Sequence, residues 1–209
     1  MSDKKITQLT QVTELTGAEL LPLAQDGVTK SASVDQLRGY KVYTALLTQS
    51  GGDNPSPVYW DEYLIKGVTY EIISLAVGDD VTQYGAPNNN VGTKFVSNQD
   101  VNVWGSSGSE LAYNTGAPVV TVLENTIGNI WWTYNSFGNY YANSGGLFTL
   151  NKTLFEPRSF NDLSDKNKLL YAGGYNQNLI AISCFNFQGD TVEEANTGEV
   201  VPIEIRVYN

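Results

Sequence analysis

Residues 129–142 read Asn-Ile-Trp-Trp-Thr-Tyr-Asn-Ser-Phe-Gly-Asn-Tyr-Tyr-Ala. Aromatic and β-branched residues favour strands, whereas Asn, Ser and Gly favour turns. The stretch therefore predicts two short strands, over residues 129–134 and 138–142. Because successive side chains of a strand point to opposite faces of the sheet, we expect one residue of each aromatic pair in the core and the other at the surface.

Strands of the same kind recur on both sides of this stretch. Their close spacing is typical of a sandwich or a barrel, and no long helical pattern competes with them. The predicted fold class is therefore all-β, a β-sandwich or barrel. The further strands are predicted over residues 42–49, 67–75, 93–96, 100–104, 119–123, 147–150, 169–172, 178–184 and 203–208.

Residues 1–40 differ from the rest because their apolar side chains are sparse. The Asp26-Gly27 pair predicts a hairpin between strands over residues 19–24 and 28–32, and Ser33 is placed to cap a single helical turn over residues 34–38. The first residues fit a helix face and an extended arm equally well. Since the segment has too few apolar groups for a core of its own, we expect it to pack on the rest of the chain or on a partner.

Composition and charge exclude several classes of function. The chain has 209 residues, with 12 basic and 22 acidic side chains and a net charge of −10, which argues against nucleic acid as a partner. It has no His and one Cys, so His-based catalytic triads, His-ligated zinc and intrachain disulfides are excluded. No apolar run is long enough for a membrane-spanning helix, and no secretory signal is visible, so we expect no membrane insertion and folding in a reducing cytosol.

One group of oxygen-bearing side chains could hold calcium. Asp79-Asp80, Asp53, Asn54 and residues 88–90 offer carboxylate and amide ligands. The spacing of a calcium-binding loop is absent, and the same residue types commonly cap turns. We therefore predict turn chemistry and no metal ligand here.

Acidic pairs and the single cysteine are the remaining candidates for catalysis. A glycosidase needs two carboxylates across a cleft, whereas Asp61-Glu62, Glu193-Glu194 and the pair Asp162 and Asp165 are predicted to be solvated loop charges. Cys184 lies in an apolar run and is predicted to be a small core residue. The sequence predicts no catalytic residue, no cofactor and no enzymatic activity.

Five aromatic residues are candidates for a contact surface. Exposed aromatic side chains mark subunit interfaces or platforms for sugars. The candidates are Trp104, Trp131, Trp132, Tyr140 and Tyr141.

Several stretches of the chain resemble structural proteins of bacteriophages. Residues 41–51 (Lys-Val-Tyr-Thr-Ala-Leu-Leu-Thr-Gln-Ser-Gly) and 117–128 (Ala-Pro-Val-Val-Thr-Val-Leu-Glu-Asn-Thr-Ile-Gly) resemble the two halves of a β-domain that is common in phages of Bacteroidetes hosts, including crAss-like phages. Residues 202–208 resemble the end of that module. Between the halves, motifs within residues 67–104 resemble a second virion element, inserted into the first. The N-terminal motifs within residues 5–37 resemble the attachment segment of tail-fibre and appendage proteins.

The resemblance implies an organisation and a role. Residues 1–40 would be a virion-attachment arm and 41–209 a β-domain, with a β-rich insertion of about 56–116. Since no shaft repeat follows the arm, the chain resembles a short head or tail fibre, a decoration or an adaptor protein of the virion, made in the host bacterial cytoplasm. The alternative is a receptor- or glycan-binding adhesin module at a fibre tip.

The resemblance also implies partners. The arm would dock on capsid, portal or tail components, and the protein would be a homo-oligomer, a trimer as in similar fibres, with host surface glycan as a further partner. The side chains expected to dock on the virion are Ile6, Leu9, Leu20, Leu21 and Leu23.

Overall fold

The computed structural model describes residues 20–33, 37–48, 55–114, 116–136, 139–156, 159–161, 167–186 and 201–209. These residues form fifteen strands in four sheets, which confirms the all-β prediction. The strands are β1 (Leu20–Gln25), β2 (Val28–Ser33), β3 (Tyr40–Thr48), β4 (Pro55–Tyr59), β5 (Thr69–Ser74), β6 (Lys94–Val96), β7 (Glu110–Asn114), β8 (Val119–Asn125), β9 (Trp131–Ser136), β10 (Asn139–Asn143), β11 (Thr153–Glu156), β12 (Ser159–Asn161), β13 (Asn167–Tyr175), β14 (Leu179–Asn186) and β15 (Val201–Tyr208).

The N-terminal strands form a hairpin. Residues 1–40 are one compact unit and residues 41–209 a second. Strands β1 and β2 pair antiparallel from Leu20 opposite Ser33 to Gln25 opposite Val28. Both turn residues have positive φ, 54° at Asp26 and 74° at Gly27, as a two-residue hairpin turn requires. The predicted hairpin is confirmed, whereas most of the predicted helical turn lies outside the described residues.

Two sheets of the second unit face each other as a sandwich. One has the strand order β12-β13-β14-β10-β9 and the other β11-β15-β3-β8. Both contribute to one core, in which Trp132 and Tyr140 of the first sheet pack with Tyr43 and Ile205 of the second. Strand β15 shows why the sequence folds this way, because its apolar side chains at every second position are buried and the intervening ones are not. Of the two predicted architectures, the described sheets form the sandwich.

A third sheet forms an insert with its own core. Its strand order is β4-β7-β5-β6, and it follows β3 and precedes β8, which pair with each other from Tyr43 opposite Asn125 to Thr48 opposite Val119. The chain therefore leaves the sandwich after β3 and re-enters it at β8. A separate cluster of buried residues, including Tyr70, Phe95 and Trp104, fills the insert.

Two predicted strands are wrong. Within residues 100–104, Val101 forms only an isolated bridge with Leu64. Residues 147–150 form no strand because Gly145 and Gly146, with φ of 60° and 102°, turn the chain just before them. The buried Phe148 instead fills the sandwich core from a loop.

Alkaline unfolding tests the burial of Tyr43 in the sandwich core. Burial raises the pKa of Tyr43 to about 12, although the hydrogen bond from Trp132 opposes the shift. Because the unfolded chain ionises at its ordinary pKa of 10.0, the stabilisation is fully present below pH 10 and is lost as the pH rises towards 12. Two pKa units correspond to about 2.7 kcal/mol. Burial likewise raises the pKa of Tyr70 to about 12.

We therefore expect the free energy of unfolding, measured in urea from about pH 8 to about pH 12, to fall above pH 10. Tyr43→Phe should reduce this fall, leaving the contributions of Tyr70 and Tyr84, whose pKa values burial also raises. A fall in Tyr43→Phe as large as that of the wild type would contradict the burial of Tyr43.

Candidate functional site

The N-terminal hairpin exposes apolar side chains. Leu20 is 68% exposed, Leu21 43% and Val28 57%. Because Leu20 and Leu21 are neighbours in one strand, they point to opposite faces of the hairpin, so each face has an uncovered leucine. Of the other predicted docking residues, Ile6 and Leu9 and the side chain of Leu23 lie outside the described part of the chain. We call Leu20, Leu21 and Val28 the hairpin apolar set.

Three of the five aromatic candidates are core residues. Trp104, Trp132 and Tyr140 are each 3% exposed or less, so these three candidates do not form part of an exposed contact surface. The indole N–H of Trp132 donates to the Tyr43 hydroxyl over 3.2 Å inside the sandwich. The indole N–H of Trp104 donates to the carbonyl of Tyr59 over 2.9 Å inside the insert.

Trp131 and Tyr141 lie on the outer face of the five-stranded sheet. Each is partly exposed while its neighbour, Trp132 or Tyr140, is buried, which confirms the expected division of each aromatic pair. The side-chain amide of Asn143 donates to the carbonyls of Trp131 and Tyr141, over 3.4 Å and 3.1 Å. These contacts hold the two strands that present the partly exposed rings.

One of two adjoining loops of the insert exposes further aromatic residues that the sequence did not indicate. Residues 59–65 and 101–104 are joined by the bridge between Leu64 and Val101, and the buried Trp104 fixes the first loop through its indole N–H. Tyr59 and Tyr63 are each about half exposed on this loop. The clustering of Tyr59, Trp60 and Tyr63 at the end of β4 and just after it could have indicated this surface. It was missed because β4 itself was not predicted. We call these loops the aromatic loop pair.

The two neighbouring carboxylates of the insert hold loops in place, since Asp80 caps its own turn and Asp79 bonds to a loop 27 to 30 residues further along the chain. Asp79 accepts hydrogen bonds from the backbone N–H and hydroxyl of Ser106, over 2.6 Å and 2.8 Å, and from the hydroxyl of Ser109 over 2.5 Å. Asp80 accepts from the backbone N–H and hydroxyl of Thr82. These hydrogen bonds hold the pKa of both carboxyl groups below the ordinary value. The largest contribution comes from Ser109 for Asp79 and from Thr82 for Asp80.

Two of the other oxygen-bearing side chains, those of Asn88 and Asn89, are engaged in hydrogen bonds. The carboxamide oxygen of Asn88 accepts from the backbone N–H of Asn90 and from the Thr93 hydroxyl, while Asp53 and Asn54 lie outside the described residues. Within the described ranges, no cluster of three or more His, Cys, Asp or Glu could hold a metal ion.

The remaining chemical candidates form no described site. Glu62 accepts a hydrogen bond from the backbone N–H of Tyr59 over 2.7 Å, which closes a loop. Cys184 belongs to β14, but its side chain is not described. Asp162, Asp165 and the Glu193-Glu194 pair lie outside the described residues.

A concave pocket of about 520 Å³ opens where the insert meets the sandwich. Lys66, Ser97 and Asn98 line it from the insert, and Val120 and Asn129 are among the residues that line it from the sandwich. These residues are far apart in the sequence, so no motif could indicate the pocket. We call it the joint pocket.

Hydrogen bonds fix the two sides of the joint pocket. The backbone N–H of Val120 donates to the carbonyl of Gly67, and the N–H of Gly67 donates to the carbonyl of Ser97, both over 2.8 Å. The side-chain amide of Asn129 donates to the carbonyl of Lys94 over 2.9 Å. Sandwich and insert are thus joined by backbone and side-chain bonds at the pocket itself.

Among the residues that the structure describes, no helix is long and apolar enough to cross a membrane. Comparison of the chain with protein-family models, with curated proteins and with solved structures returned no match.

Proposed function

We propose that the chain is a non-enzymatic bacteriophage virion structural protein, a short head or tail fibre, a decoration or an adaptor protein that is anchored by its N-terminal arm. The observation that carries the proposal is the hairpin apolar set, exposed on a compact unit that precedes the sandwich. A two-stranded hairpin is at best marginally stable alone, so its uncovered leucines favour docking on a larger partner. The motif resemblance within residues 5–37 supports a virion component as that partner.

The size of the hairpin favours several arms acting together. Full burial of an exposed aliphatic side chain contributes about 1.5–3 kcal/mol. Because Leu20, Leu21 and Val28 are 68%, 43% and 57% exposed, together they offer about 2.5–5 kcal/mol. This lies at or below the low end of the cost of association, about 4–15 kcal/mol. A homotrimer presenting three arms would gain avidity from the second and third contacts. Avidity favours an oligomer, and the resemblance to phage fibres implies a trimer, so we propose a trimer that docks on a capsid, portal or tail component.

The composition of purified particles tests this role. Mass spectrometry of gradient-purified virions from the phage that encodes the chain should detect the protein at a constant ratio to the major capsid protein. Its presence only in the infected-cell lysate would contradict the proposal.

A second role, as a receptor- or glycan-binding module at a fibre tip, is favoured by the aromatic loop pair. Tyr59 and Tyr63 are exposed on a loop that is fixed by the buried Trp104. Tyrosine supplies a large, amphipathic contact surface at low entropic cost, which suits both sugars and proteins. The two roles are compatible, because the arm and these loops belong to different units.

A further inference from the structure

The joint pocket has a charge opposite to that of the chain as a whole. The chain carries 22 acidic and 12 basic side chains, yet no Asp or Glu lines the pocket and Lys66 does. In the part of the chain that the structure describes, the ammonium group of Lys66 forms no ion pair. The neighbouring carboxylate of Asp100 accepts a hydrogen bond from the backbone N–H of Lys66 over 2.7 Å and does not line the pocket. An ammonium group without an ion-pair partner beside a concave site favours an anionic ligand.

Amide groups give the pocket hydrogen-bonding capacity beside this charge. Asn98 is held by its backbone N–H, which donates to the carbonyl of Tyr84 over 3.0 Å. Among the described residues its carboxamide has no partner, so it can both donate and accept. The side-chain amide nitrogen of Asn129 donates to the carbonyl of Lys94, which leaves the side-chain oxygen of Asn129 as an acceptor. Such paired donors and acceptors match the hydroxyl groups of a sugar.

Aliphatic side chains form part of the remaining surface. Val96 and Ile130 line the pocket beside Val120, and Val122 is partly exposed at it. The C–H face of a pyranose ring packs on such a surface, whereas a simple carboxylate ion would leave it uncovered. The volume of about 520 Å³ lies within the range of small-ligand sites, about 300–1,000 Å³.

Glycine positions indicate that the pocket is preformed. Gly85 has φ of 106°, and a Cβ there would lie 2.8 Å from the carbonyl oxygen of Val96. The backbone segments at Gly85 and Val96 therefore lie close together at the wall of the pocket that carries Asn98. A rigid wall reduces the entropy that a ligand loses on binding.

We infer that the joint pocket binds a saccharide unit that carries a carboxylate, such as a hexuronic acid of an acidic polysaccharide. Lys66 pairs with the carboxylate, Asn98 and Asn129 bond to hydroxyl groups, and the valine surface contacts the ring. A phosphate ligand fits less well, because the pocket has one cation and no arginine. The arm contributes none of these residues, so this inference and the proposed virion attachment can fail separately.

The test is a titration of the full-length protein, followed by NMR chemical shifts, with a galacturonic acid trisaccharide and with the same trisaccharide after reduction of its carboxyl groups. We expect the acidic form to bind at least about tenfold more tightly than the neutral form. Lys66→Gln should remove that preference, and the matched control Lys152→Gln, at an exposed lysine outside the pocket, should keep it. Asn98→Ala should weaken both ligands at least about fivefold.

Three results would overturn the inference. One is the absence of saturable binding up to about 10 mM ligand. Another is equal affinity of wild type and Lys66→Gln for the acidic trisaccharide. The third is binding of acetate as tight as that of the trisaccharide, which would indicate a carboxylate site without sugar recognition. Unfolding midpoints of the variants, measured in urea, verify that each one is folded.

Discussion

On the proposed virion role, deletion of residues 1–39 should abolish incorporation of the protein into virions while residues 40–209 remain folded and soluble. The described strands of the arm, β1 and β2, pair only with each other, so the deletion removes no strand from the sandwich or the insert. It does remove the hairpin apolar set, whose exposed surface is worth about 2.5–5 kcal/mol on full burial, or roughly 70- to 5,000-fold in affinity. Immunoblots of purified particles, from cells in which only the truncated protein is made, measure the loss.

Point variants separate docking from any other effect of the deletion. Leu20→Ser combined with Leu21→Ser should reduce incorporation strongly, because both faces of the hairpin lose their apolar contact. Val77→Ser, at a fully exposed apolar position of the insert, should leave incorporation at the wild-type level. Wild-type incorporation of the truncated protein would show that the arm is not the anchor.

Gly67→Ala should destabilise the second unit more than other glycine substitutions. Gly67 has φ of 83°, and a Cβ there would lie 2.4 Å from the carbonyl oxygen of Val120. Neither backbone can move easily, because the N–H of Val120 donates to the carbonyl of Gly67. A positive φ costs about 1–2 kcal/mol in a non-glycine residue and overpacking about 1–3 kcal/mol. We expect the free energy of unfolding in urea to fall by about 2–5 kcal/mol.

Gly78→Ala is the matched control for that variant. Gly78 also has a positive φ, 97°, but a Cβ there would have nothing within 4 Å. The free energy of unfolding of this control should therefore fall only by the cost of a positive φ in a non-glycine residue, about 1–2 kcal/mol. Equal losses in the two variants would contradict the close approach of Gly67 and Val120, and with it the described joint between insert and sandwich.

Local patterns predicted those elements whose side chains alternate regularly. Strand β15 alternates apolar and polar residues along its length, and the Asp26-Gly27 pair specifies its turn through backbone conformation alone. Both signals are contained in a few consecutive residues. Strand β4 was not predicted because Pro55 and Pro57 make its sequence look unlike a strand. It forms a strand nevertheless, since β4 lies at the edge of its sheet, where proline is tolerated.

The contact surfaces depend on packing that local patterns do not contain. In the sequence, Trp104 and Tyr59 are both aromatic residues in loop-rich segments. In the structure, Trp104 is buried in the core of the insert, whereas Tyr59 is exposed. The joint pocket brings Lys66 together with Asn129, which is more than sixty residues away in the chain. Only the closure of the insert between β3 and β8 places these residues side by side.

Cryo-electron microscopy of purified virions tests the central claim most directly, because it locates both units of the chain on the particle. The account predicts density for the N-terminal hairpin against a capsid, portal or tail component, with Leu20 and Leu21 covered, and for the sandwich and its insert facing the solvent. A chain that contacts the particle through the sandwich while its hairpin faces solvent, or one that is absent from the particle, would contradict the account.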